Sequence, residues 1–325
     1  MQRDARFKAA VGVVATASLL VALAAGGSAS AAPGAHASAC QPATNIEGII
    51  DDSGSMAGND PDNYRADLLE ALAFFNKGKT MGATLFADSA APLFGAFTVG
   101  PNFGAIQTAL AGVTDSGVVG FGTDYDAGFF VANAHNPGAN ARIFLSDGEH
   151  NATPTPNSNL WKSPRIPAYV VGFGSANFTV LNQIASETGG PASFAVTNAS
   201  QLRTVSQVIN ARINCQPDPV LIERQFKKAG QVKRIGFKAV GGSAQVLISW
   251  PTVGNVFKAL FGKGKKGKKS SVASAAKKKK RVKVKTERGD SFLAVDLSKV
   301  KGKVSFRLRA KRLLRSETVT VAVIK

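Results

Sequence analysis

Short apolar runs alternate with amphipathic stretches from Asn45 to Ile213. In the first amphipathic stretch Leu68, Leu72 and Phe75 recur at helical spacing. The apolar runs predict buried strands, namely NIEGII (45–50), ATLFA (83–87), APLFGAFTV (91–99), ARIFLSDG (141–148) and IPAYVVGFG (166–174). Strands that alternate with helices are typical of an α/β domain with a doubly wound, mostly parallel sheet. We therefore predict such a domain over residues 45–213, with ligands bound at the carboxyl ends of its strands.

A different pattern begins after Cys215. In GKVSFRLRA (302–310) apolar and polar residues alternate strictly, so that Val304 and Phe306 lie on one face and Arg307 on the other. Similar alternation occurs in KRIGFKAV, SAQVLISW and TVTVAVIK. Residues 216–325 therefore predict a small all-β sandwich. Within it, residues 262–286 form a lysine-rich tract without hydrophobic periodicity, which predicts a long exposed loop.

The charge of the chain is unevenly distributed. Its formal net charge is +19 over 325 residues. Residues 40–213 carry 8 Lys and Arg against 14 Asp and Glu, whereas residues 214–325 carry 29 against 6. An acidic half is thus joined to a strongly basic one, which supports a division into two domains.

The first residues resemble an export signal. Arg3, Arg6 and Lys8 precede an apolar run at 9–25, and Ala29-Ser30-Ala31 offers small residues for cleavage. We predict a signal peptide at 1–31 and a linker at 32–44, with a single anchor helix as the alternative. The mature protein is then expected to be secreted or held at the cell surface, and the Ala- and Gly-rich composition suggests a bacterial source. No later segment is apolar enough to span a membrane.

Only two cysteines occur, Cys40 and Cys215, and they bracket the acidic half. In an exported chain an even pair predicts a disulfide, here one that joins the two ends of the α/β domain. Two unpaired thiols are the alternative.

The segment IIDDSGSM (49–56) places carboxylates and hydroxyls at the end of the first predicted strand. It lacks the Gly-x-Ser-x-Gly pattern of a serine nucleophile. It also lacks the second aspartate, two positions on, of a phosphoacceptor of the haloacid-dehalogenase kind. A catalytic group of Ser55, Asp147 and His150 is conceivable, but a triad demands specific geometry. An oxygen cage for a metal ion fits the residues better.

Three loops supply the oxygen donors of this predicted metal site. Ser53 and Ser55 lie two apart after Asp51, Thr123 precedes a predicted helix, and Asp147 ends the strand ARIFLSD. Hydroxyls and carboxylates are hard ligands, suited to Mg²⁺, Mn²⁺ or Ca²⁺ rather than zinc. The five side chains carry only two formal negative charges, so a bound divalent ion can still accept a carboxylate from another molecule.

Asp51-x-Ser53-x-Ser55, Thr123 and Asp147-Gly148 together resemble the metal-ion-dependent adhesion site of von Willebrand factor type A domains. The resemblance extends over residues 45–213. It implies that Ser53, Ser55 and Thr123 coordinate the ion directly and that the two aspartates act mainly through water. It further implies a non-enzymatic adhesion module that binds a protein ligand through an acidic residue. The all-β domain loosely resembles those that follow such domains in secreted adhesion proteins.

Two residues depart from the family pattern. Asp52 occupies a variable position, where we expect a solvated loop carboxylate, and Phe121 stands where a small residue is common.

The lysine-rich tract supports an alternative function. A basic loop could bind an anionic polymer electrostatically, with the α/β domain as scaffold; a solvated loop is the simpler interpretation. Nucleic acid is an unlikely partner, because no aromatic residue for base stacking lies between Lys263 and Lys285. The candidate polyanion-binding residues are Lys265, Lys266, Lys268, Lys269, Lys277, Lys278, Lys279, Lys280 and Arg281.

Overall fold

The computed structural model describes residues 40–324, apart from 114–118, 149, 153–154, 175, 197–200, 240–242, 253, 261–282, 289–291, 299 and 301. Residues 40–325 form one compact unit. The predicted signal peptide and most of the predicted linker lie outside the described residues. Within the described residues, no helix has both the length and the apolar character needed to span a bilayer.

The first half of this unit is an α/β domain. Its elements are β1 (Asn45–Asp51), α1 (Met56–Asn59), α2 (Tyr64–Phe75), β2 (Thr80–Phe86), β3 (Ala90–Thr98), α3 (Phe103–Ala111), α4 (Tyr125–His135), β4 (Ala141–Ser146), α5 (Asn159–Lys162), β5 (Ala168–Phe173), α6 (Phe178–Thr188), β6 (Phe194–Val196) and α7 (Leu202–Ile213). The strands form one sheet in the order β3-β2-β1-β4-β5-β6. All neighbours are parallel except β2 and β3. This confirms the predicted fold class.

Apolar side chains cover both faces of the six-stranded sheet. On the α4 side, stacked and edge-to-face aromatic rings form the centre of the core, with ring centroids 5.0 to 5.9 Å apart; they belong to Phe86, Tyr125, Phe129, Phe144 and Trp161. On the other side α2 is buried along most of its length. A parallel sheet covered on both faces explains the near-continuous apolar strands.

The second half contains eight strands in two sheets. They are β7 (Val220–Phe226), β8 (Val232–Ala239), β9 (Ser243–Ser249), β10 (Val256–Leu260), β11 (Lys283–Arg288), β12 (Phe292–Ser298), β13 (Gly302–Arg312) and β14 (Glu317–Ile324). A three-stranded sheet has the order β10-β13-β8, and a five-stranded sheet has the order β11-β12-β9-β14-β7. All pairs are antiparallel. Their inner faces share one apolar core, as predicted for a sandwich.

Most of the predicted lysine-rich loop lies outside the described residues, and with it all nine candidate polyanion-binding residues. The last four positions of that predicted range, 283–286, belong to the backbone of β11.

The two halves share a second apolar core. Leu247, Phe292 and Ala294 of the five-stranded sheet are buried in the same cluster as the side chains of α2 and α7. Hydrogen bonds cross the same boundary: Gln245 Nε2 donates to the Phe75 carbonyl at 3.1 Å and accepts, through Oε1, from Asn210 Nδ2 at 2.7 Å. The five-stranded sheet is therefore covered on one face by the other sheet and on the opposite face by helices.

The predicted disulfide is confirmed. Cys40 and Cys215 are bonded, with their Cα atoms 5.8 Å apart, a separation typical of disulfides. Beside it, the amide of Ala43 donates to the carbonyl of Ile213 at 2.7 Å. These contacts join the start of β1 to the end of α7.

Candidate metal centre

The topology brings the predicted donors to one edge of the six-stranded sheet. Asp51 is the last residue of β1, and Asp147 directly follows β4, which pairs with β1 in parallel. Because parallel neighbours end at the same edge, these two aspartates lie beside each other. Thr123 lies two residues before α4.

Hydrogen bonds connect four of the five predicted donors. Ser53 Oγ and Ser55 Oγ are 3.0 Å apart, and Ser55 Oγ donates to Asp147 Oδ1 at 2.9 Å. Asp51 Oδ1 accepts from the Ser53 amide at 2.9 Å. The structure therefore places the three side chains of the first loop with the carboxylate of the third.

Gly148 shows how Thr123 joins this group. A Cβ added to Gly148 would lie 3.1 Å from Thr123 Oγ1 and 3.8 Å from Ser55 Oγ. The threonine hydroxyl and the serine hydroxyl therefore face a small space that a side chain at position 148 would fill. A residue without Cβ is needed here because of this close approach.

Both carboxylates of the centre have raised pKa values. Burial raises the pKa of Asp51 to about 6, although hydrogen bonds from Ser146 and Ser53 act against this shift. Burial also raises the pKa of Asp147, against hydrogen bonds from Asn59 and Ser55. Carboxylates that are costly to ionise in a buried site favour a nearby cation, which compensates their charge.

The structure adds two orienting residues that the sequence analysis missed. Ser146 Oγ donates to Asp51 Oδ2 at 2.6 Å, and Asn59 Nδ2 donates to Asp147 Oδ2 at 2.7 Å. Together with the bonds from the Ser53 amide and Ser55 Oγ, these contacts leave both oxygens of each aspartate hydrogen-bonded. Ser146 lies within the predicted strand 141–148 and Asn59 lies in a four-residue helix, so neither carried a recognisable signal.

The expectation for Asp52 was wrong. Asp52 is buried, with 1% of its surface exposed, and it forms an ion pair with Arg65 at 3.3 Å. Arg65 also pairs with Asp60 at 3.2 Å. The carboxylate of Asp60 accepts from the amides of Tyr64 and Arg65, so it caps α2 from four residues before the helix begins. Asp52 therefore anchors the first loop to α2.

The threonine loop is held by the exposed side chain of Asp88. Its carboxylate accepts from the amide of Phe121 at 2.7 Å and from that of Gly122, and these bonds lower the pKa of Asp88. Gly120 has φ 111°, and a Cβ at either glycine would collide with Asp88. The two glycines are thus required by this contact.

Phe121 is presented at the rim of the centre. Its carbonyl accepts from the amide of Gly54 at 3.0 Å, so its backbone is bonded on both sides. Its side chain is 69% exposed, the largest value among the exposed large hydrophobic residues described. A fixed backbone carrying an exposed ring is an arrangement that suits contact with another molecule.

A second group of possible ligand atoms lies beside the centre. Oxygen and nitrogen atoms of Asp124, Asp126 and His150 lie within 4.8 Å of one another. These side chains have structural partners: Asp124 caps α4, Asp126 accepts from the amide of Asn157, and His150 Nδ1 accepts from the amide of Tyr125. These three side chains therefore hold the loops around the start of α4 in place.

The donor set fits a hard divalent cation. Three hydroxyls and two carboxylates are available, with no sulfur among them, and the space beside Gly148 is lined by hydroxyl oxygens. Ser53, Ser55 and Thr123 would hold such an ion, with Asp51 and Asp147 behind them.

The fold and this centre define an α/β domain with clustered oxygen donors, a candidate cation site, at the carboxyl edge of its sheet. The family model of the von Willebrand factor type A domain matches residues 45–208, and the chain belongs to this family. Domains of this family are interaction modules that bind protein ligands. A search of curated protein sequences found no match.

Solved structures with a similar fold come from several sources. Proximal thread matrix protein 1 from the mussel byssus, solved with a zinc-occupied MIDAS motif, is 19% identical over 56% of this chain and 50% of its own, with TM-score 0.45. A von Willebrand factor type A protein from Catenulispora acidiphila is 14% identical over 86% and 62%, with TM-score 0.47. BatB from Bacteroides thetaiotaomicron is 18% identical over 51% and 97%, with TM-score 0.43. The chain thus spans about half the length of the mussel protein.

Proposed function

We propose that this chain is a secreted or cell-surface protein-binding module, not an enzyme. It captures a carboxylate of a protein ligand through a divalent cation held by Asp51, Ser53, Ser55, Thr123 and Asp147. One observation carries the proposal: hydroxyls and buried carboxylates from separate loops meet at the ligand-binding edge of the sheet. We propose Mg²⁺ as the cation, with Mn²⁺ and Ca²⁺ as further candidates.

Each residue of the centre has a distinct task in this proposal. Ser53, Ser55 and Thr123 supply neutral oxygens, so the cation keeps enough charge to attract a ligand carboxylate. Asp51 and Asp147 compensate the charge of the cation from behind, in orientations set by Ser146 and Asn59. The bound cation supplies a coordination position for an oxygen of the ligand. Binding is coordination, and no covalent bond is made or broken.

Phe121, at the rim of the metal centre, supplies a second contact with the protein ligand. Phe121 extends its ring into solvent from the same loop that carries Thr123. A ligand whose acidic residue lies beside an apolar side chain would cover this ring while its carboxylate reaches the centre. The bonds of Asp88 and Gly54 to the loop hold the ring in place before the ligand arrives.

Calorimetric titration of the full chain with Mg²⁺ and Mn²⁺ tests the metal centre. We expect saturable binding at one site that is lost in Thr123→Ala and Ser55→Ala and retained in Thr123→Ser. Thr108→Ala is a matched control, because its hydroxyl donates only to the Gly104 carbonyl within α3. Equal binding by all variants would refute the assignment.

Capture of peptides tests the ligand class. Displayed peptides that contain one Asp beside an apolar residue should bind in Mg²⁺ and not in EDTA, and their Asn counterparts should not bind. Binding of both peptide sets, or binding that persists in EDTA, would contradict carboxylate capture.

A further inference from the structure

The outer face of the three-stranded sheet carries an ordered array of cations. Along β8, β10 and β13 buried and exposed residues alternate, so that Ile235, Phe237, Phe257, Phe306 and Leu308 point into the sandwich. Six of the exposed positions of these strands are the basic residues Arg234, Lys238, Lys258, Lys303, Arg307 and Arg309. The solvent face of this sheet is therefore positively charged along all three strands.

The strand register places these cations directly opposite one another. Lys303 pairs with Lys238 and Arg307 pairs with Arg234 across β13 and β8, while Arg309 pairs with Lys258 across β13 and β10. Like charges directly opposite each other in a sheet are destabilising. Three such pairs on one face lower the stability of the sandwich, and folding alone does not explain why they are present.

No acidic side chain lies in these three strands to compensate them. None of the six cations forms a salt bridge among the described residues. Two acids of the same half have partners outside this face: Asp218 pairs with Arg212, and the buried Glu317 accepts from Thr252 and Asn255. The positive potential of the face is thus unopposed by its own strands.

We propose that this face, which we call the cationic sheet face, binds a linear polymer of phosphate groups. Rows of cations on several strands fit an anion that repeats its charge, whereas a single small anion would reach only one pair. Arg234, Arg307 and Arg309 present guanidinium groups, which match phosphate oxygens in a bidentate manner. Between the two halves of the array, Arg234 Nη2 donates to Oγ of the buried Ser305 at 3.1 Å, which holds this guanidinium on the face.

The same face disfavours nucleic acid as the polymer. The phenylalanines of its strands, at 237, 257 and 306, are all buried in the sandwich core, so no ring is available to stack on a base. The described residues between 220 and 324 form strands and no helix, so the described part of this half offers no helix that could enter a duplex groove. The ligand is therefore recognised through its repeated phosphate groups, without contacts to bases.

Binding of long-chain inorganic polyphosphate to the full chain tests the proposal. The double variant Lys303→Gln with Arg307→Gln should bind at least about tenfold more weakly, and the slope of log K against log salt should fall by about 1 to 2. A matched control is Lys162→Gln with Arg165→Gln, which removes two exposed cations from the α/β domain and should bind like wild type. EDTA should have no effect, which separates this site from the metal centre.

Thermal unfolding shows whether weaker binding reflects misfolding. Without polyphosphate the double variant should melt at the wild-type temperature or above it, because like-charge pairs have been relieved. If the double variant melts at a lower temperature, the single variants Arg234→Gln and Lys238→Gln provide an independent measure of the face, and wild-type polyphosphate affinity in both of them would overturn the assignment.

Four results would refute the proposal. Replacement of the nine candidate polyanion-binding residues of the lysine-rich tract by serine could abolish binding while the sheet variant binds normally. Polyglutamate of equal charge could bind as well as polyphosphate, which would remove the preference for phosphate. Single-stranded DNA could bind more tightly than polyphosphate, which would assign the face to nucleic acid. Equal binding of orthophosphate and polyphosphate would likewise contradict a polymer site.

Discussion

Arg203 joins the two halves of the molecule. This arginine of α7 is fully buried, and its guanidinium forms an ion pair with Asp67 of α2 at 2.9 Å. It lies 3.9 Å from the ring centroid of Tyr64 and donates through Nη1 to the Trp250 carbonyl, beside the end of β9, at 2.8 Å. One side chain therefore connects two helices of the α/β domain to the sandwich.

Replacement of Arg203 by Met retains much of the apolar stem and removes the charge. Breaking a buried ion pair by removing one partner costs about 3 to 5 kcal/mol. The side chain of Asp67 is 15% exposed, so water can partly solvate the charge left behind, and we expect a loss of about 3 kcal/mol. That loss corresponds to a fall in melting temperature of about 6 to 12 °C.

The chain contains a tryptophan reporter in each half. Trp161 is buried in the α/β domain and Trp250 in the sandwich, both 1% exposed. Urea unfolding of the Trp161→Phe and Trp250→Phe proteins therefore follows the halves separately by fluorescence. We expect coincident transitions in the parent chain, because the halves share a core, and separate transitions once Arg203→Met is added.

Arg212→Met is the matched control. Arg212 lies on the same helix and also pairs with an aspartate, Asp218, at 3.1 Å, but the two side chains are 30% and 50% exposed. Exposed pairs contribute about 0 to 1 kcal/mol, so this variant should unfold almost like the parent. If Arg203→Met is no less stable than Arg212→Met, or if its transitions stay coincident, the inferred role of Arg203 is refuted.

Three further predictions concern other parts of the chain. Phe121→Ala should keep the Mg²⁺ affinity measured by calorimetry and weaken capture of Asp-containing peptides; loss of both would mean that the ring supports the loop instead. Cys215→Ser removes a disulfide between residues 175 apart and should lower the free energy of unfolding by about 4 kcal/mol, as should Cys40→Ser. A small effect would contradict the view that the disulfide stabilises the fold by restricting the unfolded chain. Burial raises the pKa of Glu47 above 4.5, so its stabilising contribution is complete below that pH and disappears as the pH rises through its folded pKa. Glu47→Gln should therefore gain stability relative to wild type as the pH rises above 4.5 in denaturant titrations, and a pH-independent difference would contradict this sign.

The α/β fold, and the meeting of the predicted oxygen donors at one sheet edge, could be predicted because both depend on local order. Apolar runs that end in Asp51 and Asp147 indicate strands whose carboxyl ends carry ligands, and parallel pairing brings those ends together. Asp52 shows the limit of such reasoning. Its partner Arg65 lies 13 residues further on, after a turn, and no local pattern indicates that the two side chains meet.

The shared core had a signal that the sandwich prediction did not use. In β9 the neighbouring residues Val246, Leu247 and Ile248 are all buried, and the first four residues of β12 are buried as well. A strand with one solvated face alternates, whereas an uninterrupted apolar run indicates cover on both faces. The uninterrupted apolar residues of β9 and β12 thus indicated that a second layer covers the other face of this sheet. Its identity, α2 and α7, depends on contacts between residues far apart in the chain.

This layering explains where the charge of the molecule lies. The five-stranded sheet is covered by helices on one face and by the three-stranded sheet on the other, so the cationic sheet face is the outer surface of the sandwich. The metal centre belongs to the acidic half, where oxygen donors are buried at a sheet edge. Ligand binding at the two proposed sites should respond to different conditions. Chelation would remove the cation from the metal centre, whereas salt would screen the charges of the cationic sheet face. In EDTA, polyphosphate binding should persist while peptide binding is lost; at high salt, peptide binding should persist while polyphosphate binding is lost. Loss of both under either condition would show that the two ligands use one site.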